Sequence, residues 1–258
     1  MAELEYCKTE REGNLLIVTL NRPERLNALH SPAHAELDGV FNEFAEDPDL
    51  WVAIVTGEGR AFSAGNDLKY QAEGGKRFAV ASGFAGLTSR YDLNKPVIAA
   101  VNGVAMGGGF EIALACDIII ASDKAMFALP EPKVGLAALA GGLHRLPRQI
   151  PLKQAMGMIL TGRHVPAAEG KELGFVTDVV PAENLMEEAK RWAAQIMECS
   201  PMSIRASKEV VYAGLDESNY EKAFGSEYSA VKALSSSEDF IEGPKAFAEK
   251  RPPQWKGR

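Results

Sequence analysis

Cysteine is scarce and scattered. Cys7, Cys116 and Cys199 are the only three in 258 residues and form no CxxC pair. That spacing offers neither a disulfide framework nor a zinc knuckle. Cys116 sits in an apolar run and reads as a small buried hydrophobe; a reducing, cytoplasmic setting is expected. No His/Cys/acid cluster has metal-ligand spacing. His30 and His34 are four apart but lack the glutamate of a zinc helix motif and have Ser-Pro between them, so they read as surface or capping residues. Positive charge is also short, with 28 Lys and Arg against 35 Asp and Glu and a net charge of -7. This disfavours a nucleic-acid surface, which needs a basic face. The nucleophile elbow GxSxG fails at Ser63 because Ala61 holds its first position. A dinucleotide fingerprint fails because Ile112 stands where its third glycine or alanine belongs, and no Gly-Lys-Ser/Thr follows to make a phosphate loop. The first residues are acidic and lack an apolar h-region, so no secretion signal is expected.

What the chain does have is concentrated between Lys95 and Glu131, KPVIAAVNGVAMGGGFEIALACDIIIASDKAMFALPE. The run is long enough to resemble a membrane span. Asn102, Glu111 and Asp117 interrupt it, its glycines break it into strand, turn and helix, and no span is expected. Val97 to Val101 reads as a buried strand and Phe110 to Ala115 as a helix, with Gly107, Gly108 and Gly109 at the turn between them. Glycine permits unusual dihedrals and close approach of a ligand. The first amides of a helix lack partners and carry the positive end of its dipole, so they can hold an oxyanion. Glu111 falls in that first turn. A carboxylate in apolar surroundings resists ionisation, and two of them, Glu111 and Glu131, suit acid–base chemistry. Plainer readings exist: glycine turns serve packing, Glu111 can answer a helix dipole, and Glu131 between two prolines can be a surface loop residue. The pair together favours chemistry.

The first 200 residues alternate strand and helix, an α/β pattern. Tyr6 to Asn21 reads as a hairpin turning at Glu12-Gly13-Asn14, and Asn21 to Leu29 as a loop. A helix opens at Ser31-Pro32, with Ser31 as cap, and ends at Asp47-Pro48. Trp51 to Thr56 is a strand. The segment AFSAGNDL, 61–68, repeats the sequence of strand end, small-residue turn and helix start, and is a second candidate oxyanion site. Tyr70 to Ser82 lacks a period and reads as a mobile flap; Phe84 to Leu93 reads as helix. Strands follow at 117–121, 125–129 and 175–180, with Pro130 to Leu139 as loop. Helices are expected from Gly142 to about Gln149, at 152–160 and at 166–173, where Gly174 is the natural stop. From Asn184 the pattern is helical: 184–198, 201–214, 218–235 and 239–250. The end of the strands suggests a core of residues 1–199 and a helical subdomain of residues 200–258.

The motifs resemble the crotonase (enoyl-CoA hydratase/isomerase) superfamily. The matching pieces are NRPERLNAL at 21–29, AFSAGNDL at 61–68, KPVIAAVNGVAMGGGFEIALACDI at 95–118, FALPEPKVGL at 127–136, GGLHRLPR at 141–148 and LTGRHVPAAEGKELGFVTDVV at 160–180. The resemblance implies a spiral of ββα turns with a helical C-terminal trimerisation region, and a homotrimer or homohexamer. It implies an acyl-CoA substrate, no separate cofactor and no metal. The thioester oxygen would lie on the amides of Asn66 and Gly108. Leu26, Ala28, Ala64, Asn66, Asp67, Leu68 and Lys69 match segments that contact CoA, and Phe247 and Lys250 match tail residues offered to a neighbour's CoA nucleotide. Glutamates at both 111 and 131 resemble a hydratase, or a dehydratase run in reverse, with Glu111 the base toward water and Glu131 the proton donor to the α-carbon.

Some positions depart from that pattern. Leu136 to Gly142 reads LAALAGG where many hydratases carry roughly IPGAGG, and Leu143 and His144 replace common threonine and glutamine. This segment lines the acyl pocket in the family, so the acyl group is open and an apolar pocket is favoured. His144 reads as a helix residue bonded to backbone, against a substrate contact, and His164 as loop structure. The GGGFE and LPE context is also similar to carnitinyl-CoA dehydratases. A Δ3-Δ2 enoyl-CoA isomerase is the alternative enzyme, and a non-enzymatic RNA- or protein-binding member the alternative class.

Overall fold

Six strands pair into one sheet whose four inner strands are apolar on both faces, while the edge strand next to the N-terminus is polar and largely exposed. The computed structural model describes residues 4–76 and 78–258. Residues 1–3 of the acidic N-terminus and residue 77 of the expected flap lie outside that description. The hairpin is β1 (Cys7–Glu12) against β2 (Leu15–Leu20), antiparallel. Then β3 (Val52–Gly57), β5 (Val97–Val101), β7 (Ile118–Ser122) and β10 (Asp178–Val180) join in parallel, in the order β1-β2-β3-β5-β7-β10. Leu15, Ile17, Val52, Ile54, Ile98, Ala100 and Ile120 pack on one face against Leu185, Ala189 and Ala193 of α7 (Leu185–Met197). Their neighbours Leu16, Val18, Ala53, Val55, Ala99 and Ala121 enter the main core on the other face. Burial on both faces is why these strands read as continuous apolar runs without polar alternation.

Three of these strands, β3, β5 and β7, are each followed by a short one in a second sheet. β4 (Ala61–Ser63), β6 (Val104–Met106) and β8 (Met126–Ala128) run parallel, and β9 (Val165–Pro166) closes the edge antiparallel to β8. The pairs β3–β4, β5–β6 and β7–β8 are successive turns of one spiral. β6 and β9 are too short to show a period and were not expected. Phe110, Phe127 and Phe175 meet between the layers with centroids 5.1 to 5.2 Å apart.

The helices are α1 (Ser31–Glu46), α2 (Leu68–Ala72), α3 (Gly108–Ala115), α4 (Gly142–Gln149), α5 (Leu152–Thr161), α6 (Ala167–Leu173), α7, α8 (Pro201–Asp216), α9 (Tyr220–Gly225), α10 (Ser229–Ser235) and α11 (Glu238–Glu249). Two expectations need correction. Ser31 is not the cap of α1: His30 holds that position, and the Ser31 hydroxyl accepts instead from the Phe78 amide at 3.0 Å. Phe84 to Leu93 is not a helix. It makes one 3-10 turn, Phe84–Gly86, between Gly83 (φ 80°) and Gly86 (φ 67°), whose positive φ values break a helix. The expected helix 218–235 is two, α9 and α10, and the strand 175–180 shortens to β10. Between residues 201 and 249 the described structure is helices and their connections, and residues 251–258 run on without regular structure. Lys208 of α8 anchors this region, donating to Asp117 at 2.8 Å and to the Lys95 carbonyl at 2.9 Å. No helix is long and apolar enough to cross a membrane among the described residues.

Candidate active site

Two loops are laced together to make the floor of the site. The Leu29 amide donates to the Gly65 carbonyl at 2.7 Å, the Asp67 amide to the Leu29 carbonyl at 2.9 Å, and the Ala64 amide to the Leu26 carbonyl at 2.9 Å. Asn27 locks the first loop through its side chain, which accepts from the Arg22 amide at 2.8 Å and donates to the Ala61 carbonyl at 2.8 Å. Ser63, the failed nucleophile, donates to the Asn27 carbonyl at 2.8 Å. These bonds leave the Asn66 amide free: among the described residues it has no protein acceptor. The Gly108 amide, at the start of α3, has none either.

The two free amides come close because Gly65 has no side chain. A Cβ there would stand 2.5 Å from the Met106 carbonyl and 2.9 Å from the Gly108 nitrogen. Gly107 turns the chain from β6 into α3 at φ 52°, and its own amide is spent on the Ala128 carbonyl at 2.9 Å. Asn66 and Gly108 thus line one cavity, and Gly108 opens α3, where negative charge is favoured.

The two glutamates join them. Glu111, in the first turn of α3, is 3% exposed, and its Oε1 accepts from the Gly142 amide at 2.8 Å. Burial pushes its carboxyl up to about 7, and repulsion from Glu131 adds to the rise. Glu131 follows β8, and a Cβ on Gly107 would stand 2.7 Å from its Oε1. Its Oε2 is enclosed and has no hydrogen-bond partner among the described residues, and burial raises its pKa as well. It is not the surface loop residue of the plainer reading.

These groups share a cavity of about 770 Å³ that Ala64, Asn66, Asp67, Leu68, Gly107, Gly108, Glu111 and Glu131 help to line. That is room for a substantial organic ligand. Leu26, Ala28 and Lys69 are not on its wall; Leu26 is held to the Asn66 loop through its carbonyl, and Ala28 lies between Asn27 and Leu29, which are bonded to that loop. Asp67 is a structural residue here. It caps α2 by accepting from the Tyr70 amide at 3.0 Å and pairs with Arg22 at 3.0 Å. Burial opposes its ionisation, yet the Tyr70 amide and Arg22 outweigh it and hold the carboxyl below its usual range. Phe247 is 88% exposed and, with Lys250, lies away from this cavity within one chain.

Several contributors were not legible in advance. His30 and His34, read as surface or capping residues, line the cavity. His30 is buried between Tyr6 and Tyr70, 4.7 and 4.6 Å from their ring centroids. Phe84 lies over Gly108, where a Cβ would be 2.5 Å from its ring. The expected flap supplies Tyr70, Gln71, Phe78, Ala79 and Val80 to the wall. The Gly142 amide was missed because its acceptor is 31 residues away. His144 is an exposed residue of α4, outside the cavity.

Paired strands of two sheets spiralling around a glycine turn, with a buried and a half-buried glutamate beside it, define an α/β crotonase fold. The chain belongs to the enoyl-CoA hydratase/isomerase family, whose pattern matches residues 10–258. It is 47% identical over 253 residues to the carnitinyl-CoA dehydratase of Proteus mirabilis (strain HI4320), covering 95% of this chain and 96% of that one. It is 47% identical over 261 residues to the carnitinyl-CoA dehydratase of Escherichia coli (strain K12), covering 98% and 99%. Its structure is similar to that of the enoyl-CoA hydratase from Mycobacterium tuberculosis H37Rv, with a TM-score of 0.92 at 36% identity over 98% of this chain and 99% of that one.

Proposed function

We propose that this protein adds water across the C2–C3 double bond of a 2-enoyl-CoA, or removes it in the reverse direction. The observation that carries the reading is the pair of buried Glu111 and half-buried Glu131, with its enclosed Oε2, beside the two free amides of Asn66 and Gly108. The thioester oxygen sits on those amides, which stabilise the enolate charge as it develops. Ionised Glu111 takes a proton from water, and the hydroxide oxygen bonds to C3. The π electrons of C2–C3 move toward the thioester carbonyl, and protonated Glu131 returns a proton to C2. One proton is taken and one given, so the pair ends with its protonation exchanged and must reset through solvent. Raised pKa values suit a pair in which one member carries a proton near neutrality. The CoA thioester is the substrate, and the chemistry as drawn uses no further cofactor.

The test is loss of the conjugated thioester absorbance across a panel of 2-enoyl-CoAs beginning with crotonyl-CoA. Glu111→Gln and Glu131→Gln should each lower the rate by ~100-fold or more. Hydration lost in Glu111→Gln with Δ3-Δ2 isomerisation retained would replace hydratase by isomerase. CoA-ester binding with no turnover would point to another chemistry of the family, and salt-sensitive RNA binding without any turnover to the non-enzymatic class. A second reading, action on carnitinyl- or crotonobetainyl-CoA, is favoured by the two dehydratases that share 47% identity over nearly the whole chain. Crotonobetainyl-CoA belongs in the panel, and a clear preference for it over crotonyl-CoA would decide for that reading.

A further inference from the structure

The structure fixes the proton position of His34, on the cavity wall, without reference to the glutamates. The Ala85 amide donates to its Nδ1 at 3.1 Å. A ring nitrogen that accepts carries no proton, so the remaining proton of the imidazole is on Nε2. Burial reinforces this by holding the ring pKa down to about 4, so the imidazole is neutral at physiological pH. The Ala85 amide is fixed in turn. Its segment is the tight Gly83–Gly86 turn, where the Thr88 hydroxyl accepts from the Phe84 amide at 2.8 Å. The ring itself is braced by Phe84 at a centroid distance of 4.3 Å.

Among the described residues the Nε2 proton has no acceptor, and Nε2 is not among the fully enclosed, unpartnered polar atoms, whereas His30 Nδ1 is. His34 lines the cavity that holds Glu111 and Glu131, on a wall that also presents Ser31, Thr88 and Ser89. Nε2–H therefore opens on the space beside Phe84, whose ring covers Gly108. An apolar acyl tail placed there strips water from this donor and returns nothing, a cost the site avoids when the ligand brings an acceptor.

We infer that His34 is a specificity-determining residue whose Nε2–H selects acyl-CoA chains bearing a hydrogen-bond acceptor, a ketone or hydroxyl oxygen, beyond the reacting carbons. A tetraalkylammonium has no lone pair to offer the same donor. The inference rests on the acyl-CoA reading above but concerns binding, so it can be measured apart from turnover.

The experiment is calorimetric binding of saturated, unreactive acyl-CoAs to the purified protein. Each straight chain is paired with chains of equal length carrying a ketone at successive carbons. At least one ketone position should bind about tenfold tighter than its alkyl partner, the value of one well-placed hydrogen bond. His34→Leu should bring that ratio close to one, and His34→Gln, which restores an N–H, should recover part of it. No ketone preference at any position in the wild-type protein overturns the inference whether or not the variants fold. A preference that survives in His34→Leu overturns the role of His34. A ketone preference without turnover of any enoyl-CoA would uphold this inference while removing the hydration reading.

Discussion

Glu111 keeps its bond from the Gly142 amide whether or not its carboxyl is protonated, because Oε1 accepts in both states. Burial raises its pKa from 4.5 to about 7. Below pH 4.5 the group is protonated in the folded and unfolded chains alike, and folding carries no penalty from it. As pH rises to about 7 the unfolded chain loses this proton first, so stability falls; above about 7 the loss is complete. Glu111→Gln keeps the acceptor and removes the charge. Between about pH 5 and about pH 8 its denaturation free energy should fall less than the wild type's, by on the order of 2 kcal/mol. Equal slopes in the two proteins would show that ionisation of this group carries no folding penalty. The same titration should appear in catalysis as a rising limb of kcat/KM near pH 7, since the base must be ionised. These two carboxylates were readable from sequence because an acidic residue stands out in an apolar run. His34 and Phe84 were not, because what places them on the cavity is packing between α1 and a turn some 50 residues later, visible in the bond from Ala85 to His34 with its separation of 51.

At the scale of elements, α3 and β4 touch through a glycine. A Cβ on Gly109 would stand 2.1 Å from the Ser63 carbonyl oxygen and 2.8 Å from its carbon, both backbone atoms that cannot swing aside. Gly109→Ala must therefore push α3 off the second sheet. Overpacking of this kind typically costs about 1–3 kcal/mol, and chemical denaturation should show at least that. An unchanged midpoint would mean the two elements separate freely. The variant should also lose activity, because Ser63 and Gly65 hold the Asn66 amide toward Gly108. The triple glycine thus divides its work: Gly107 turns the chain, Gly108 carries a free amide under Phe84, and Gly109 permits contact with β4. The sequence announced a strand-to-helix turn and a second one at 61–68. It did not announce that β6 intervenes between β5 and α3, since three residues are too few for a period to register. Nor did it separate a helix from a glycine-punctuated turn at 84–93, where apolar spacing looked helical and the positive φ values decide otherwise.

For the whole molecule, the open question is what covers the C-terminal helices. Leu215, Tyr220, Phe224, Ile241 and Phe247 are each more than two-thirds exposed. Large apolar side chains gathered on one region mark contact surfaces, and closed symmetric assemblies are the common outcome. We expect light scattering at micromolar concentration to give three or six times the chain mass of 27.8 kDa. Replacing Leu215 and Phe224 together by Asp should lower that mass, since buried charges without partners oppose association. The assembly also bears on the site. Phe247 and Lys250 lie away from their own chain's cavity, so a role at the CoA nucleotide requires them to reach a neighbour's. Contacts to that remote part of the substrate act on binding more than on the reacting atoms. The dissociated variant should therefore raise KM for the CoA ester more than it lowers kcat. A monomeric wild-type mass would remove the assembly altogether. A dissociated variant with unchanged KM would leave the CoA nucleotide to residues within one chain, the Asn66 loop and the Leu26–Ala28 segment bonded to it.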